Sequence, residues 1–215
     1  IFDDDGKSGL LIDLQHTPAF KPQSLHTHIS ESESHWEDAQ TLVGMAKDKM
    51  WARQTYFYVV EFSRPVVHTV TLPALEGEKA VRYVAEFDIP KGEELMVKVA
   101  LSSVSIDGAK NNLEEVADWD FDATYRNTKA KWNELLSRAD MKGTKEEKKN
   151  FYTSLYHLFI QPNILSDASG YYRNAADEVD KSEASHTYST FSLWDTYRAA
   201  HPLYTIVTPE RVNDF

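Results

Sequence analysis

Near Gly108 the hydrophobic pattern of the sequence changes its period, and no other feature constrains the fold as tightly. Before it, from residue 1 to about 106, apolar and polar residues alternate, as they do along an extended chain whose side chains point to opposite faces in turn. In "LMVKVALSSVS" Leu95, Val97, Val99 and Leu101 share one face, and Lys98 and Ser102 lie on the other. "TYFYVVEFSRPVVHTVTLP" holds two strands divided at Arg64-Pro65, and "AVRYVAEFDIPKGEE" holds another that ends in a Pro-Lys-Gly turn. Val67, Thr69 and Thr71 alternate with Val66, His68, Val70 and Leu72, which suits a half-buried strand. Several short strands joined by turns predict an antiparallel β-sandwich.

After Gly108 the apolar residues recur at the helical period of about 3.6. "DWDFDATYRNTKAKWNELLSRAD" opens on Asp118, Asp120 and Asp122, any of which can cap a helix, and carries Trp132, Leu135 and Leu136 as its apolar stripe. "GTKEEKKNFYTSLYHLFIQP" has a capping box, Thr144 with Glu147, and a stripe of Phe151, Tyr152, Leu155, Tyr156 and Phe159 before Pro162 stops it. Residues 163–189, with Ser166-Asp167-Ala168-Ser169-Gly170 and many polar residues, read as a long loop or irregular hairpin, a place where function tends to sit. Helix resumes near Ser192. The expected layout is the later part of a β-sandwich domain over 1–107, a helical linker over 108–143, and the opening of a helical domain over 144–215.

Both ends look cut from a longer chain. "IFDDDGKSGLLIDL" reads as the end of one strand, a tight turn at Asp5-Gly6 or Ser8-Gly9, and a second strand from Leu10 to Leu14. At the other end Thr208 is a candidate N-cap, with Pro209 at the first helical position and Glu210 supplying negative charge, so a helix starts just before Phe215.

A net charge of -11 over 215 residues, with Lys and Arg scattered, argues against a nucleic-acid partner and against an anionic membrane surface. No apolar run reaches the roughly 20 residues of a membrane helix, so membrane insertion is not expected. With no cysteine, disulfides and thiolate zinc sites are excluded.

Several constellations invite a chemical reading. "DDDGKSG" fails as a calcium loop, because the positions that need Asp and Glu relative to Gly6 are Ile1 and Ile12, and it reads as a polar turn. "HTH" at His26 to His28 has the spacing of a metal pair on a strand, with no third ligand nearby in sequence. His157 lies between Tyr156 and Leu158 with no partner at turn spacing, which suits a packing residue. In "SLWDTYR" Asp195 follows Ser192 by three residues, so Ser192 and Asp195 can form a cap and Trp194 can enter a core. Equally, an indole face beside a carboxylate suits a sugar ring, with the aromatic on its C–H face and Asp195 accepting from hydroxyls.

"SLWDTYRAAHPLYTIVTPERVNDF" closely resembles the start of the catalytic domain of glycoside hydrolase family 92, the bacterial calcium-dependent exo-acting α-mannosidases. The likeness takes in "WARQTYFYVVEF" and the stretch from "VKVALSSVSIDGAKNN" to "ILSDASGYYR", in order, over nearly all the chain from about Leu42. The resemblance implies an α+β multidomain fold: an antiparallel β-sandwich, linker helices, and the opening helices of an (α/α)6 toroid. It implies an inverting enzyme, an α-1,2-mannosidase acting on mannose-terminated oligosaccharides or N-glycans in the bacterial periplasm or at the cell surface. Calcium, a hard cation suited to oxygen ligands, is the implied cofactor. By the same resemblance the catalytic acid and base and most calcium ligands fall beyond Phe215, so 1–215 alone is expected to be inactive, with no catalytic residue or metal ligand assigned in it. Trp194 and Asp195 match family contacts to the terminal mannose, and Arg198 is a further substrate-binding candidate. Two other readings stand beside it: another six-hairpin carbohydrate enzyme such as an α-glucoside phosphorylase, and a non-catalytic carbohydrate-binding sandwich.

Overall fold

The structure, a computed structural model, describes residues 1, 5–16, 29–48, 54–184 and 186–215. It divides into two compact units, Ile1–Trp119 with Asp167–Lys181, and Asp120–Ser166 with Ser182–Phe215.

The first unit is the expected sandwich. Its strands are β1 (Gly6–Asp13), β2 (Ile29–Trp36), β3 (Thr41–Asp48), β4 (Thr55–Phe62), β5 (His68–Leu72), β6 (Arg82–Ile89) and β7 (Val97–Ser102), followed by helix α1 (Ile106–Leu113). One antiparallel sheet has the order β1-β6-β5 and the other β2-β3-β4-β7. Alternation on β6 sends Tyr83, Ala85, Phe87 and Ile89 inward, where they meet Leu42, Tyr58, Val60 and Phe62 of the facing sheet. Phe62 and Phe87, both fully buried, stand 5.3 Å apart between ring centres.

Strand β4 is buried on both faces. Val59, on the side opposite Val60, packs with Val43 and Ala100 under Ala109 and Leu113 of α1. The near-continuous apolar run "TYFYVVEF" is therefore what a central, twice-covered strand requires. Ser105 caps α1 by accepting from the Gly108 N–H at 2.9 Å.

One turn differs from the sequence reading. Ser8 and Gly9 do not form a turn; they lie inside β1, opposite Phe87 and Glu86 in an unbroken register of eight pairs. Pairing with β6 along its whole length extends the segment, and Gly9 is accommodated there with only Val84 Cγ1 within reach of a β-carbon, at 3.7 Å. The Asp5-Gly6 alternative stands at the start of β1, where Gly6 has φ 122° and the Asp5 carboxylate accepts from the Lys91 N–H at 2.7 Å. The strand expected before it falls outside the described residues, as does "HTH".

Within the chain segments of the second unit lie helices α2 (Phe121–Leu136), α3 (Lys145–Leu158), α4 (Leu193–Thr196) and α5 (Ala200–Val207). Asp120, rather than Asp118 or Asp122, caps α2 by accepting from the Ala123 N–H at 2.8 Å. Thr144 and Glu147 form the expected capping box on α3, and the Thr144 hydroxyl and N–H hold the Glu147 carboxyl below the ordinary range. Trp132 of α2 meets Tyr156 of α3 at 4.6 Å between ring centres. Tyr204 of α5 is the hub of an aromatic cluster with Phe159, Phe191, His201 and Phe215.

Thr208 departs from the expected N-cap role. Its side chain makes no cap bond to the single 3-10 turn Pro209–Arg211; its hydroxyl and N–H both bond back to the Tyr204 carbonyl. A carbonyl left free at the end of α5 takes both donors, so the residue closes one helix instead of opening another. Phe121, Tyr125 and Ile206 keep large exposed apolar surfaces. These helices do not display a closed toroid among the described residues.

Between α3 and α4 a short hairpin, β8 (Tyr171–Arg173) paired with β9 (Val179–Lys181), fulfils the expectation for the long polar segment. It belongs to the first unit.

A methyl group on Gly44 would overlap the Glu33 carbonyl and the Tyr58 ring and hydroxyl, whereas one on Gly9 would meet only Val84 Cγ1 at 3.7 Å. Gly44→Ala is expected to lower the stability of the first unit by about 2 kcal/mol or more, and Gly9→Ala to change it by less than about 1 kcal/mol, in chemical unfolding.

Candidate functional site

The stretch with the strongest chemical signal, Ser192 to Arg198, is held by its neighbours rather than by its own helix. Just before it, Asn163 and Ser189 exchange bonds at 2.8 and 3.0 Å, and Ile164 bridges to Tyr188. Phe191 then packs against His201 at 4.7 Å and against Tyr204 and Phe215 at 5.8 Å. That anchor fixes where the single turn of α4 begins.

The side chains of that turn face outward. Trp194 is 80% exposed, and Leu193 and Tyr197 are exposed as well. Among the described residues Trp194 is thus not a core residue. The capping arrangement also does not form: the Ser192 side chain makes no cap bond, and the turn closes through its carbonyl, which accepts from the Asp195 and Thr196 N–H groups at 3.0 and 3.3 Å. The Asp195 carboxylate has no hydrogen-bond partner among the described residues. The Arg198 Nε donates to the Tyr197 hydroxyl at 2.6 Å, and its guanidinium lies over the same ring. Trp194 and Asp195 on α4 and Arg198 just after it are therefore all exposed within one short segment, an aromatic face, an unengaged carboxylate and a cation accessible to a polyhydroxylated ligand.

A second centre escaped the sequence reading. Asp167, which the loop composition hid, is 5% exposed, and its carboxylate accepts from the Ser102 hydroxyl at 2.6 Å and from the Asn112 amide at 3.0 Å. Asn112 in turn accepts from the Ala168 N–H at 2.8 Å. Gly108 lies one helical turn before Asn112, and any side chain there would overlap Asp167 and Ser102. Farther along the hairpin, Arg173 donates from Nε to the Ser103 carbonyl at 2.8 Å, and Lys47 pairs with Asp177 at 3.3 Å. The available signal was the small and polar pair Gly108/Asn112 one helical turn apart on α1, beside two consecutive serines at the end of β7. This centre holds the hairpin to the sandwich and offers no open face to a ligand.

Among the described residues no three His, Asp or Glu side chains gather in a metal-binding group. His157 is exposed beside the Tyr156 ring. A depression of about 390 Å³ beside Trp36 and His68 contains Asp38, whose carboxylate is already engaged by the Gln40 N–H and the Thr41 hydroxyl. No described helix is long and apolar enough to cross a membrane.

The family model of the glycosyl hydrolase family 92 catalytic domain matches residues 108–215. The fold superposes on a family GH92 α-mannosidase of Bacteroides thetaiotaomicron with a TM-score of 0.89 at 28% identity, covering 99% of this chain and 30% of that one. A structure of that enzyme in complex with mannoimidazole gives 0.88 at 28% identity, over 99% and 29%. A family GH92 inverting mannosidase from the same species gives 0.76 at 25% identity, over 85% and 27%. The chain thus spans less than a third of the length of these structures. No curated protein sequence matches it.

If Asp167 holds the hairpin, Asp167→Ala leaves two donors and a cavity behind it and should free the segment. Trypsin is then expected to cut after Arg173 or Lys181 at least about ten times faster than in the unaltered chain, with Asp167→Asn intermediate, as local opening rather than global unfolding would produce. Unchanged cleavage would show that Arg173 and Lys47 suffice.

Proposed function

The chain belongs to glycosyl hydrolase family 92, and from that premise we propose that it is the front part of an enzyme removing terminal α-linked mannose from glycans by an inverting, calcium-assisted mechanism. The observation that carries the reading is the family match over 108–215 together with superposition on mannosidases along 99% of the chain. It favours a mannosidase over a phosphorylase or a stand-alone binding sandwich. The α-1,2 linkage, N-glycans as substrates, and the periplasm or cell surface as location belong to the same proposal.

In this reading Trp194 lays its indole on the C–H face of the terminal sugar, Asp195 accepts from its hydroxyls, and Arg198 pairs with a carboxylate or with the sugar. All three side chains are accessible as the geometry requires, and Asp195 carries no competing bond. Inversion needs two carboxyl groups separated by roughly 6.5 to 9.5 Å, so that a water fits between one of them and the sugar. Those groups, and the calcium ligands, are assigned to the remainder of the enzyme. Calcium would supply a hard Lewis-acidic centre for sugar hydroxyls, and the described residues contain no cluster of their own to hold it.

The test is steady-state hydrolysis of an α-mannoside by the full-length protein. Asp195→Asn retains the shape and loses the charge, and charge-assisted bonds of about 1.5 to 3 kcal/mol translate into a fall in kcat/KM of about ten- to over a hundredfold, with little change in Tm. Full activity in that variant would remove Asp195 from the site.

The 215-residue chain by itself is expected to release no mannose, because this reading assigns the pair that protonates the leaving oxygen and activates water to the remainder of the enzyme. Turnover that disappears on mutating a carboxylate within these residues would overturn that assignment.

A further inference from the structure

Among the described residues the four-stranded sheet of the sandwich has one strand more than the sheet packed on it, and the surplus strand is bare. Val97, Val99 and Leu101 of β7 stand opposite Phe62, Val60 and Tyr58 of β4. Directly opposed residues share a face, so the three continue the inner surface of the sandwich. Yet they are 42%, 58% and 56% exposed, while their partners on β4 are 0%, 9% and 7%. Ala100 and Ser102, on the other face, are buried, so β7 is turned inside out relative to an ordinary solvent-facing edge strand.

The facing sheet indicates what belongs there. Its β5 end is fixed beside β2 and β3, since the Val66 N–H bonds the Ala39 carbonyl at 2.7 Å and Val67 to Thr69 lie next to Trp36. With the order β5-β6-β1, strand β1 is then the one on the β7 side. It pairs with β6 through eight residues, and its other edge has no strand among the described residues. One further strand on that edge, at the usual spacing of about 4.8 Å, would bond the open N–H and C=O groups of β1 and extend the sheet over β7.

We propose that a strand from the same protein, outside residues 1–215, adds to the free edge of β1 and lays alternate apolar side chains over Val97, Val99 and Leu101. Most of each structural relative lies outside the matched region, since the chain covers 30% and 29% of the first two, so a long stretch of the same polypeptide is at hand. The three exposed side chains span roughly 13 Å, which a strand of about five or six residues with period-two patterning covers. The proposal rests on the family relationship and on sheet geometry; it is independent of what the enzyme hydrolyses.

Hydrogen exchange on the full-length protein and on the 215-residue chain, each at two concentrations tenfold apart, tests it. Alternate β1 amides, those that do not bond β6, are expected to exchange at least about a hundredfold more slowly in the full-length protein, with no dependence on concentration. Equal, fast exchange in both proteins overturns the proposal, because the edge is then open in the complete enzyme. Protection that rises with concentration overturns it too, because a second copy is then the occupant. Val99→Asp supplies an independent readout: it should lower the Tm of the full-length protein and leave that of the 215-residue chain unchanged. Should the full-length Asp variant be insoluble, Val99→Thr is expected to show the same contrast with a smaller shift, and an equal Tm change in both proteins counts against a covered row.

Discussion

A single buried carboxylate decides how this chain is partitioned. Among the described residues the Asp167 carboxylate is bonded by neutral donors, the Ser102 hydroxyl and the Asn112 amide, and these come from the last residue of β7 and the last turn of α1. A charge taken out of water and left unbonded costs several kcal/mol, so the loop that carries Asp167 is bound to the place where both donors converge. Gly108 keeps that place open, and the serine pair at the end of β7 supplies a hydroxyl for the carboxylate and another for the Arg173 N–H. The strand, the helix after it and a hairpin more than fifty residues later are thus joined through this side chain, with Arg173 on Ser103 and Lys47 on Asp177 as further ties.

The rest of the first unit follows from β4, whose two faces serve two separate cores. One face joins the sheets through Tyr58, Val60 and Phe62, and the other lies under α1 through Val59. Tyr58 shows how tightly this is packed. Its hydroxyl is buried, burial pushes the pKa of the phenol up to about 12, and Gly44 stands where its ring needs room. The second unit is organised differently, around the Tyr204 ring and its hydroxyl, which lies 2.8 Å from the carbonyls of Leu158 and Gln161. There the aromatic cluster orders the approach to α4 while the side chains of α4 itself remain exposed.

Much of this was legible because local rules and tertiary demands agree. The buried residues of β6 alternate strictly, the capping box on α3 is complete in four residues, and the shift of period near Gly108 coincides with α1. Ser8-Gly9 and Thr208-Pro209 misled for a shared reason: each has strong local turn or cap chemistry, overridden by a partner elsewhere, β6 in one case and the Tyr204 carbonyl in the other. Asp167 left no trace in its own neighbourhood, since Ser, Asp and Gly in a row look the same whether the Asp faces water or the core. Ser192 and Asp195 have the spacing of a cap and do not make one, which leaves the Asp195 carboxylate free of the role that would have explained it.

The return of the hairpin to the sandwich also has a bearing on biosynthesis. Strands β1 to β7 and α1 are complete by Trp119, but the partners of Ser102 and Asn112 arrive only with Asp167, and the unit closes at Lys181. At translation rates of about 5 to 20 residues per second, the nascent sandwich waits on the order of several seconds for the segment that finishes it. During that interval the polar pocket at Gly108 is open to water, and the chain from Asp120 to Ser166, with its uncovered Phe121 and Tyr125, has already emerged. Because Asp167–Lys181 follows part of the second unit along the chain, vectorial synthesis does not deliver the first unit whole before the second begins.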